Sequence, residues 1–315
     1  METDLADHPG AAPELRLVAY TYRELFGYAP HGVWHAPGTV TLLADGPLRL
    51  TVAARWGAAV AAGPRGDSLI EAIRMSRPDE RVTLTLAEAA AGAGPSWAGT
   101  ALRGARAGAT LLVNTDLPDG SGLGAAAATQ TAIGLALEGL VLEDLVLEDL
   151  VLEDTAAAGD REGAAGPVRH RPGRALLGDR GLPFDLSAAG LRLMVIDTRV
   201  RDLPQPPIAE HAPAREAAAA LEAGAFEALG PMLTAAHAAL AADEVQQIAV
   251  SAALDAGALG ARMLVDGPGR PACALLRAPL LTDVRRAIVA AFSARRLRIP
   301  RLLTVEPAAG PRRAG

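Results

Sequence analysis

The sequence predicts a mixed α+β chain divided into two domains. Three observations lead there. The chain has 315 residues, and at about 150 residues per domain that length favours two units, each large enough to bury a core. Half of it is hydrophobic and only 21% is charged, with a mean hydropathy of +0.20, a balance that excludes wholesale disorder. Strand-like and helix-like segments alternate through both halves.

Taken in order, residues 15–26 (LRLVAYTYRELF) place apolar side chains at helical spacing and stop at Gly27, so they predict an opening helix. Between Gly32 and Gly63, apolar and small residues alternate with Val and Thr, broken by Pro37, Gly38, Gly46 and Pro47. Two or three short strands are expected. Residues 68–75 read as a loop or short helix, 82–86 as a strand and 96–107 as a helix. Residues 110–114 (TLLVN) predict a buried strand running into a glycine-rich turn, and 125–139 predict a helix.

The pentapeptide LVLED then occurs three times over 140–154. A five-residue period turns about 140° per copy on a helix and changes face at each copy on a strand. It suits no regular amphipathic element. Tandem duplication of a short coding unit accounts for it, the other reading being a helical extension that contacts a partner. Residues 155–173, rich in Gly, Ala, Pro and Arg, read as a mobile loop. A strand over 191–200 opens a second unit. Alanine-rich helices are expected over 212–221, 226–241 and 245–256, and strands over 261–265 and 272–277 joined by DGPGRP. A helix over 282–295 and a strand over 301–305 close the pattern.

Composition removes several function classes. The single cysteine, Cys273, excludes a disulfide framework and a cysteine-rich metal site. All 30 Lys and Arg residues are arginine, so chemistry that needs a Schiff-base or phosphate-loop lysine is excluded. The Ala, Gly and Arg bias reads as genome composition, which leaves single arginines with little information. Net charge −6 with 3% aromatics argues against a nucleic-acid partner. The six histidines form no H-E-x-x-H pair and no G-x-S-x-G elbow is present; no metal ligand is assigned. Trp34, Trp56 and Trp97 read as core or interface fillers. The acidic start METDLADHPG has no signal-peptide character. The most apolar stretch, 121–137, is too short and too interrupted by Thr129, Gln130 and Thr131 to cross a bilayer. A soluble, cytoplasmic protein with no membrane partner is expected.

The segment 114–137 (NTDLPDGSGLGAAAATQTAIGLAL) carries the chemistry. A strand feeds Pro118, Asp119, Gly120, Ser121, Gly122, Leu123 and Gly124, and a helix begins at once. Glycines let the backbone turn sharply and expose its N–H groups, and the helix start adds unpaired donors and a positive dipole end. Such a turn would cradle phosphate. It resembles the P-x-G-x-G-L-S-S-S-A motif of the GHMP small-molecule kinases, with Pro118, Gly120, Gly122, Leu123 and Ala127 in register. Residues 26–45 (FGYAPHGVWHAPGTVTLLAD) resemble the galactokinase signature region. GALGARM at 257–263, Cys273-Ala274-Leu275 and IPRLLTVEPAAGPRR at 299–313 match the C-terminal half of that family. The similarity is collinear over about nine-tenths of the chain.

The resemblance implies a two-domain GHMP-kinase-like fold with a cleft between the domains, residues 1–185 carrying the phosphate loop 118–124 and 186–315 forming the second unit. It implies a nucleotide and a sugar as partners, ATP and Mg²⁺ as cofactors, and ATP-dependent phosphorylation of galactose as the family reaction. Pro118, Gly120, Ser121, Gly122, Leu123 and Gly124 are the expected nucleotide-binding residues, and Asp45 and His211 the expected sugar contacts.

The departures from the family pattern bear on catalysis. The family arginine falls on Thr39, the asparagine on Thr41 and Gly-Glu on Ala44-Asp45, and the His-Thr-Asp-Tyr piece that follows is absent. The three serines fall on Gly124, Ala125 and Ala126, and alanine offers Mg²⁺ no oxygen. The catalytic aspartate falls on Arg169, which stays protonated and cannot accept a proton. His170 stands beside it, either as a substitute base or as a solvated loop histidine. Of the third motif only Gly267 and Gly269 remain, with Asp266 and Arg270 around them. The sugar-contacting tyrosine falls on His211, with Arg215 keeping the arginine place. No catalytic residue is assigned. The expectation is a galactokinase-like protein that has lost most or all catalysis, with an active small-molecule kinase, a ligand-sensing regulator and a decaying gene copy as the alternatives.

Overall fold

The computed structural model describes residues 5–98, 100–118, 121–147, 170–201, 213–240, 242–264, 269 and 271–314, with backbone only for 142–147. The described part contains two sheets and seven α-helices. Helix α1 (Pro13–Phe26) starts with proline in its first turn and ends at Gly27, whose φ of +79° lets the backbone N–H close on Arg23 O. Strands β1 (Gly32–Asp45) and β2 (Leu48–Arg65) follow as one long hairpin. Its two-residue loop carries Gly46 at φ +59°, as the tight twist of a hairpin demands. The chain here was expected to break into two or three short strands. Pro37 and Gly38 instead sit at a register shift between Pro37 and Thr39, so they bend β1 without ending it.

Strands β3 (Leu69–Arg74), β4 (Arg77–Thr85) and β5 (Gly108–Thr115) extend the sheet in the order β1-β2-β5-β3-β4. The loop or short helix expected over 68–75 is therefore a strand. Ile70, Ala72 and Ile73 are buried, and Glu71 is clamped by Arg65 and Arg81. The helix expected over 96–107 is a set of turns with one 3₁₀ turn at Ala101–Gly104. The helix of this region lies earlier, α2 (Leu86–Ala91), started by a reciprocal Thr85–Glu88 capping box.

Helix α3 (Ala125–Leu147) follows β5. It buries Ala128, Ala132, Ile133, Ala136, Leu137 and Leu140 against the sheet, a stripe at helical spacing. Its backbone helix runs through the first LVLED copy and half the second, so the repeat begins as a helical extension. The rest of the repeat and most of the 155–173 segment lie outside the described residues. Strands β6 (Arg174–Leu177) and β7 (Arg180–Pro183) form a small hairpin on β2 that was not anticipated. Its two-residue loop starts with Gly178 at φ +62°.

The second sheet contains β8 (Leu191–Asp197), β9 (Gly260–Met263), β10 (Ala272–Arg277) and β11 (Arg301–Val305), in the order β11-β8-β10-β9. Helices α5 (Leu229–Ala238), α6 (Glu244–Asp255) and α7 (Leu281–Ala294) pack on it, while α4 (Ala214–Glu222) lies against β1, β2, β6 and β7 of the first sheet. The residues 226–241 expected as one helix begin with a 3₁₀ turn at Phe226–Ala228. Strand β12 (Arg312–Ala314) returns to the first sheet and pairs with Val33 to His35 on its edge.

Period-two alternation distributes the core. On β2, Ala59 and Ala61 pack with α1 and its neighbours, while Ala58, Val60 and Ala62 face the α3 side. On β8, Leu191, Leu193 and Val195 join the buried cluster of the first sheet, while Met194 and Ile196 join that of α6 and α7. The two sheets are thus joined by one apolar layer to which α4 and α5 contribute. Trp34 is buried, covers Gly139 and receives the Arg313 guanidinium over its ring at 5.4 Å, in keeping with a filler role. Among the described residues, no helix is long and apolar enough to cross a membrane.

Candidate functional site

The turn from β5 into α3 is anchored at its entrance. Thr115 Oγ1 donates to Gly57 O at 3.1 Å and accepts from Leu117 N at 3.2 Å. The Asp116 carboxylate accepts the Gly57 N–H at 2.6 Å, and its own N–H returns to Gly57 O at 3.2 Å. Within the turn, Ser121 N donates to Pro118 O at 3.2 Å. Gly122 and Gly124 have φ of +77° and +75°, the left-handed region that a side chain disfavours. The first intrahelical bond of α3 runs from Ala128 N to Gly124 O at 2.8 Å. The N–H groups of Ala125, Ala126 and Ala127 are therefore the orphan donors of the helix start, and Ala126 and Ala127 are exposed.

Strand β1 forms the floor. A Cβ on Gly124 would meet Thr39 N at 3.1 Å, and one on Gly38 would meet Leu117 Cδ1 at 2.6 Å and Leu123 O at 2.9 Å. These two glycines let the turn lie directly on β1. Thr39, the residue in the family arginine's place, is thereby brought against the turn. Pro118, Ser121, Gly122, Leu123 and Gly124 share this one loop; Gly120 lies outside the described residues, as does His211. Asp45 is placed elsewhere. It ends β1 in the hairpin loop, paired with Leu48, six residues beyond Thr39 and so about 20 Å along the strand at ~3.3 Å per residue.

The donor set of the turn suits a phosphate. It consists of backbone N–H groups at a helix start plus the Ser121 hydroxyl, which is buried with no partner among the described residues. It does not suit Mg²⁺. Ala125 and Ala126 supply only carbon where hydroxyls would stand, and no group of three or more His, Cys, Asp or Glu side chains that could hold a metal occurs among the described residues.

Arg169, Asp266, Gly267 and Arg270 lie outside the described residues. His170, one of whose readings was a solvated loop histidine, is half-buried. Its carbonyl accepts from Gly310 N and its Nδ1 is enclosed without a partner among the described residues. His237 is buried, with Nδ1 accepting the Met263 N–H at 3.2 Å and Nε2 3.2 Å from Gln247 Oε1. That pattern fixes a neutral ring with its proton on Nε2. Burial pushes the Cys273 thiol up to about 12, with Arg262 pulling the other way, so it is no nucleophile.

Burial holds His35, His170 and His237 below the ordinary histidine value of 6.5. The unfolded chain therefore binds protons that the folded chain refuses as pH falls through that value. Stability contributed by the neutral rings is complete above pH ~6.5 and is lost below it. Urea midpoints are expected to fall between pH 7.5 and 5.5, and His237→Gln to flatten part of that slope; a pH-independent midpoint would refute the assignment.

Two features escaped the sequence reading. Arg262 on β9 is 1% exposed, donating from Nη1 to Leu42 O and from Nε to Met263 O, both at 2.9 Å. It ties the second sheet to β1. Several further arginines converge at the ends of β3, β8 and β11. An arginine-rich composition marks out neither, although the R-x-R at 199–201 and R-x-x-R at 298–301 flanking two strands are a usable signal for the second.

No family model matches the chain. It is 29% identical to a galactokinase of Streptomyces coelicolor over 94% of this chain and 97% of that protein. It is 27% identical to a galactokinase of Streptomyces lividans over 64% and 68%. The Lactococcus lactis galactokinase complexed with galactose superposes with a TM-score of 0.78 at 17% identity, covering 95% of this chain and 99% of that one. A mevalonate kinase superposes with a TM-score of 0.59 at 12% identity, covering 87% and 98%.

Proposed function

We infer, from the premise that this chain is a divergent relative of the galactokinases with the GHMP small-molecule kinase fold, that it grips a nucleotide by its phosphates but has lost fast phosphoryl transfer. The observation that carries this reading is the turn at the start of α3. Its backbone donors and positive-φ glycines are intact, while Thr39, Ala125 and Ala126 stand where an arginine and metal-holding hydroxyls would act. The nucleotide is ATP on this reading, held by Pro118 to Gly124 and the first turn of α3. The sugar is galactose, the molecule in the L. lactis complex. We divide the chain at residue 186, between β7 and β8, and assign the protein to the cytoplasm.

Phosphoryl transfer depends on positioning and on stabilising charge. Loss of a general base costs about 10²–10⁴-fold, and loss of one electrostatic donor about 10²–10³-fold. Arg169 in place of a carboxylate and Thr39 in place of arginine remove one of each. No step through a metal is assigned, because the donor set does not fit one.

Calorimetry with ATP, with and without Mg²⁺, and a coupled ADP-release assay with galactose test this. ATP is expected to bind with little Mg²⁺ dependence. Galactose-dependent ADP release is expected at least about 10⁴-fold below the roughly 1–100 s⁻¹ usual for kinases. Sugar phosphate made at ordinary kinase rates, or no ATP binding at all, would overturn the reading.

A further inference from the structure

Helix α1 covers the first sheet on the face opposite the glycine turn. Val18, Ala19 and Tyr22 are buried there with Ala59 and Ala61 of β2, whereas α3 packs with Ala58, Val60 and Ala62 on the other face. The outward side of α1 is apolar as well. Five large hydrophobic side chains are exposed among the described residues, and four of them belong to this helix or to the residue after its cap: Leu17, Tyr20, Leu25 and Tyr28. Leu17 and Leu25 leave 51% of their surface in solvent and Tyr20 49%. Exposed apolar residues scattered singly are ordinary, but their concentration on one element marks a contact surface.

The sequence orders this face in two rows. Residues four apart on a helix stand one above another. One row is Arg16, Tyr20 and Glu24, and the adjacent row is Leu17, Thr21 and Leu25. The second row reads Leu-Thr-Leu in both directions. The first runs from a cation through an aromatic ring to an anion. A two-fold axis in the contact plane, perpendicular to the helix, sets each row against its own reverse. Leu17 then meets Leu25 of a second copy, Tyr20 meets Tyr20, and Arg16 meets Glu24 at both ends. A parallel pair would set the two different rows against each other and match no charges. The face is thus complementary to itself in the antiparallel orientation, as a closed two-fold interface requires.

The groups that would make this contact are available and partly fixed. Arg16 and Glu24 are exposed, and neither has an ion pair among the described residues; Arg16 uses only Nε, which donates to Ala6 O at 3.4 Å. The Arg23 guanidinium lies over the Tyr20 ring at 5.6 Å and is itself tied to Asp7 at 3.0 Å. An aromatic ring already held in place loses little entropy on docking.

We propose that the outward face of α1 is a homodimerisation surface, on which a second copy of this chain lays its own α1 antiparallel, centred on Tyr20 and Thr21. The contact is one helix face on another, about 20 Å long at ~1.5 Å per residue, which places it among the small, reversible interfaces. It lies across the first sheet from the glycine turn, so it leaves that turn open and does not rest on the nucleotide reading.

Sedimentation velocity of the full chain from about 1 to about 300 µM tests this, a span that brackets the dissociation of a contact of this size. The mass is expected to rise with concentration from 32.2 kDa toward twice that value. Tyr20→Ala removes the central ring from both copies and should weaken association about tenfold or more. Arg16→Glu and Glu24→Arg should each weaken it about tenfold, since like charges then face each other at both ends. Neither should lower thermal unfolding, because an acid early in the helix and an arginine late in it both suit the helix dipole. An equal mixture of these two single variants puts Glu against Arg at both ends of the mixed pair. Dimers should then return to within about twofold of the wild-type affinity. Monomer at every concentration, a dimer indifferent to Tyr20→Ala, or a mixture that stays as weak as its components would overturn the proposal.

Discussion

Arg262→Ala is expected to destabilise the fold by about 3–5 kcal/mol, through the loss of two buried hydrogen bonds from a charged donor. The side chain is a fully buried cation on an edge strand of the second sheet, and it crosses to the Leu42 carbonyl of the first. Truncation leaves the Leu42 and Met263 carbonyls without their charged donor and opens a void the size of a guanidinium and its stem. Each lost bond to a charged donor is worth about 1.5–3 kcal/mol. Arg262→Met refills the stem volume but supplies no donor, so it should lose less than alanine and more than nothing. Guanidinium denaturation of the three proteins checks the order, and a wild-type midpoint for the alanine variant would show that the bridge between sheets carries no weight.

Gly260→Ala should come close in effect, through crowding. A Cβ there would stand 1.8 Å from Gly230 O and 2.5 Å from Gly230 Cα, while one on Gly230 would meet Leu259 O at 2.4 Å. Helix α5 and strand β9 touch backbone to backbone at this point, and the obstructing atoms are main chain, which cannot rotate away. One methyl forces the two elements apart. A loss of about 3 kcal/mol is expected, at the upper end of overpacking costs. Gly230→Ala should act on the same contact, so the double variant should lose less than the sum of the two. Thermal unfolding measures all three, and near-additive losses would mean the glycines do not share one contact.

Where the chain carried a strong local pattern, the sequence was readable. Helices α1, α6 and α7 and strands β5, β8, β10 and β11 follow from apolar spacing and bounding glycines. The failures have physical causes. Pro37 and Gly38 are strand breakers by propensity, yet a register shift in β1 accommodates both and the strand continues. Glu71 and Arg74 gave 68–75 a polar look, but Glu71 is neutralised by ion pairs and the segment is a buried strand. The short hairpin 174–183 has too few residues to show a period of two.

The turn between β5 and α3 was legible because a buried apolar strand, a run of glycines and a helical apolar stripe follow one another directly in the sequence. The gathering of arginines at the ends of β3, β8 and β11 was not, since its members are spread over more than two hundred residues of sequence. They meet only because Arg301 and Asp197 share a register and the two sheets share a core. In a chain with 30 arginines, no local signal distinguishes those that converge.

The pairing of Arg312–Ala314 with His35–Val33 has a consequence for how the molecule is made. The edge of β1 is covered by a segment synthesised more than 270 residues later. The first sheet must wait, with that edge bare, until β12 has emerged. Contacts of such long sequence separation slow folding and lengthen exposure to self-association. Chaperone demand during synthesis should therefore be set by how late this clasp closes.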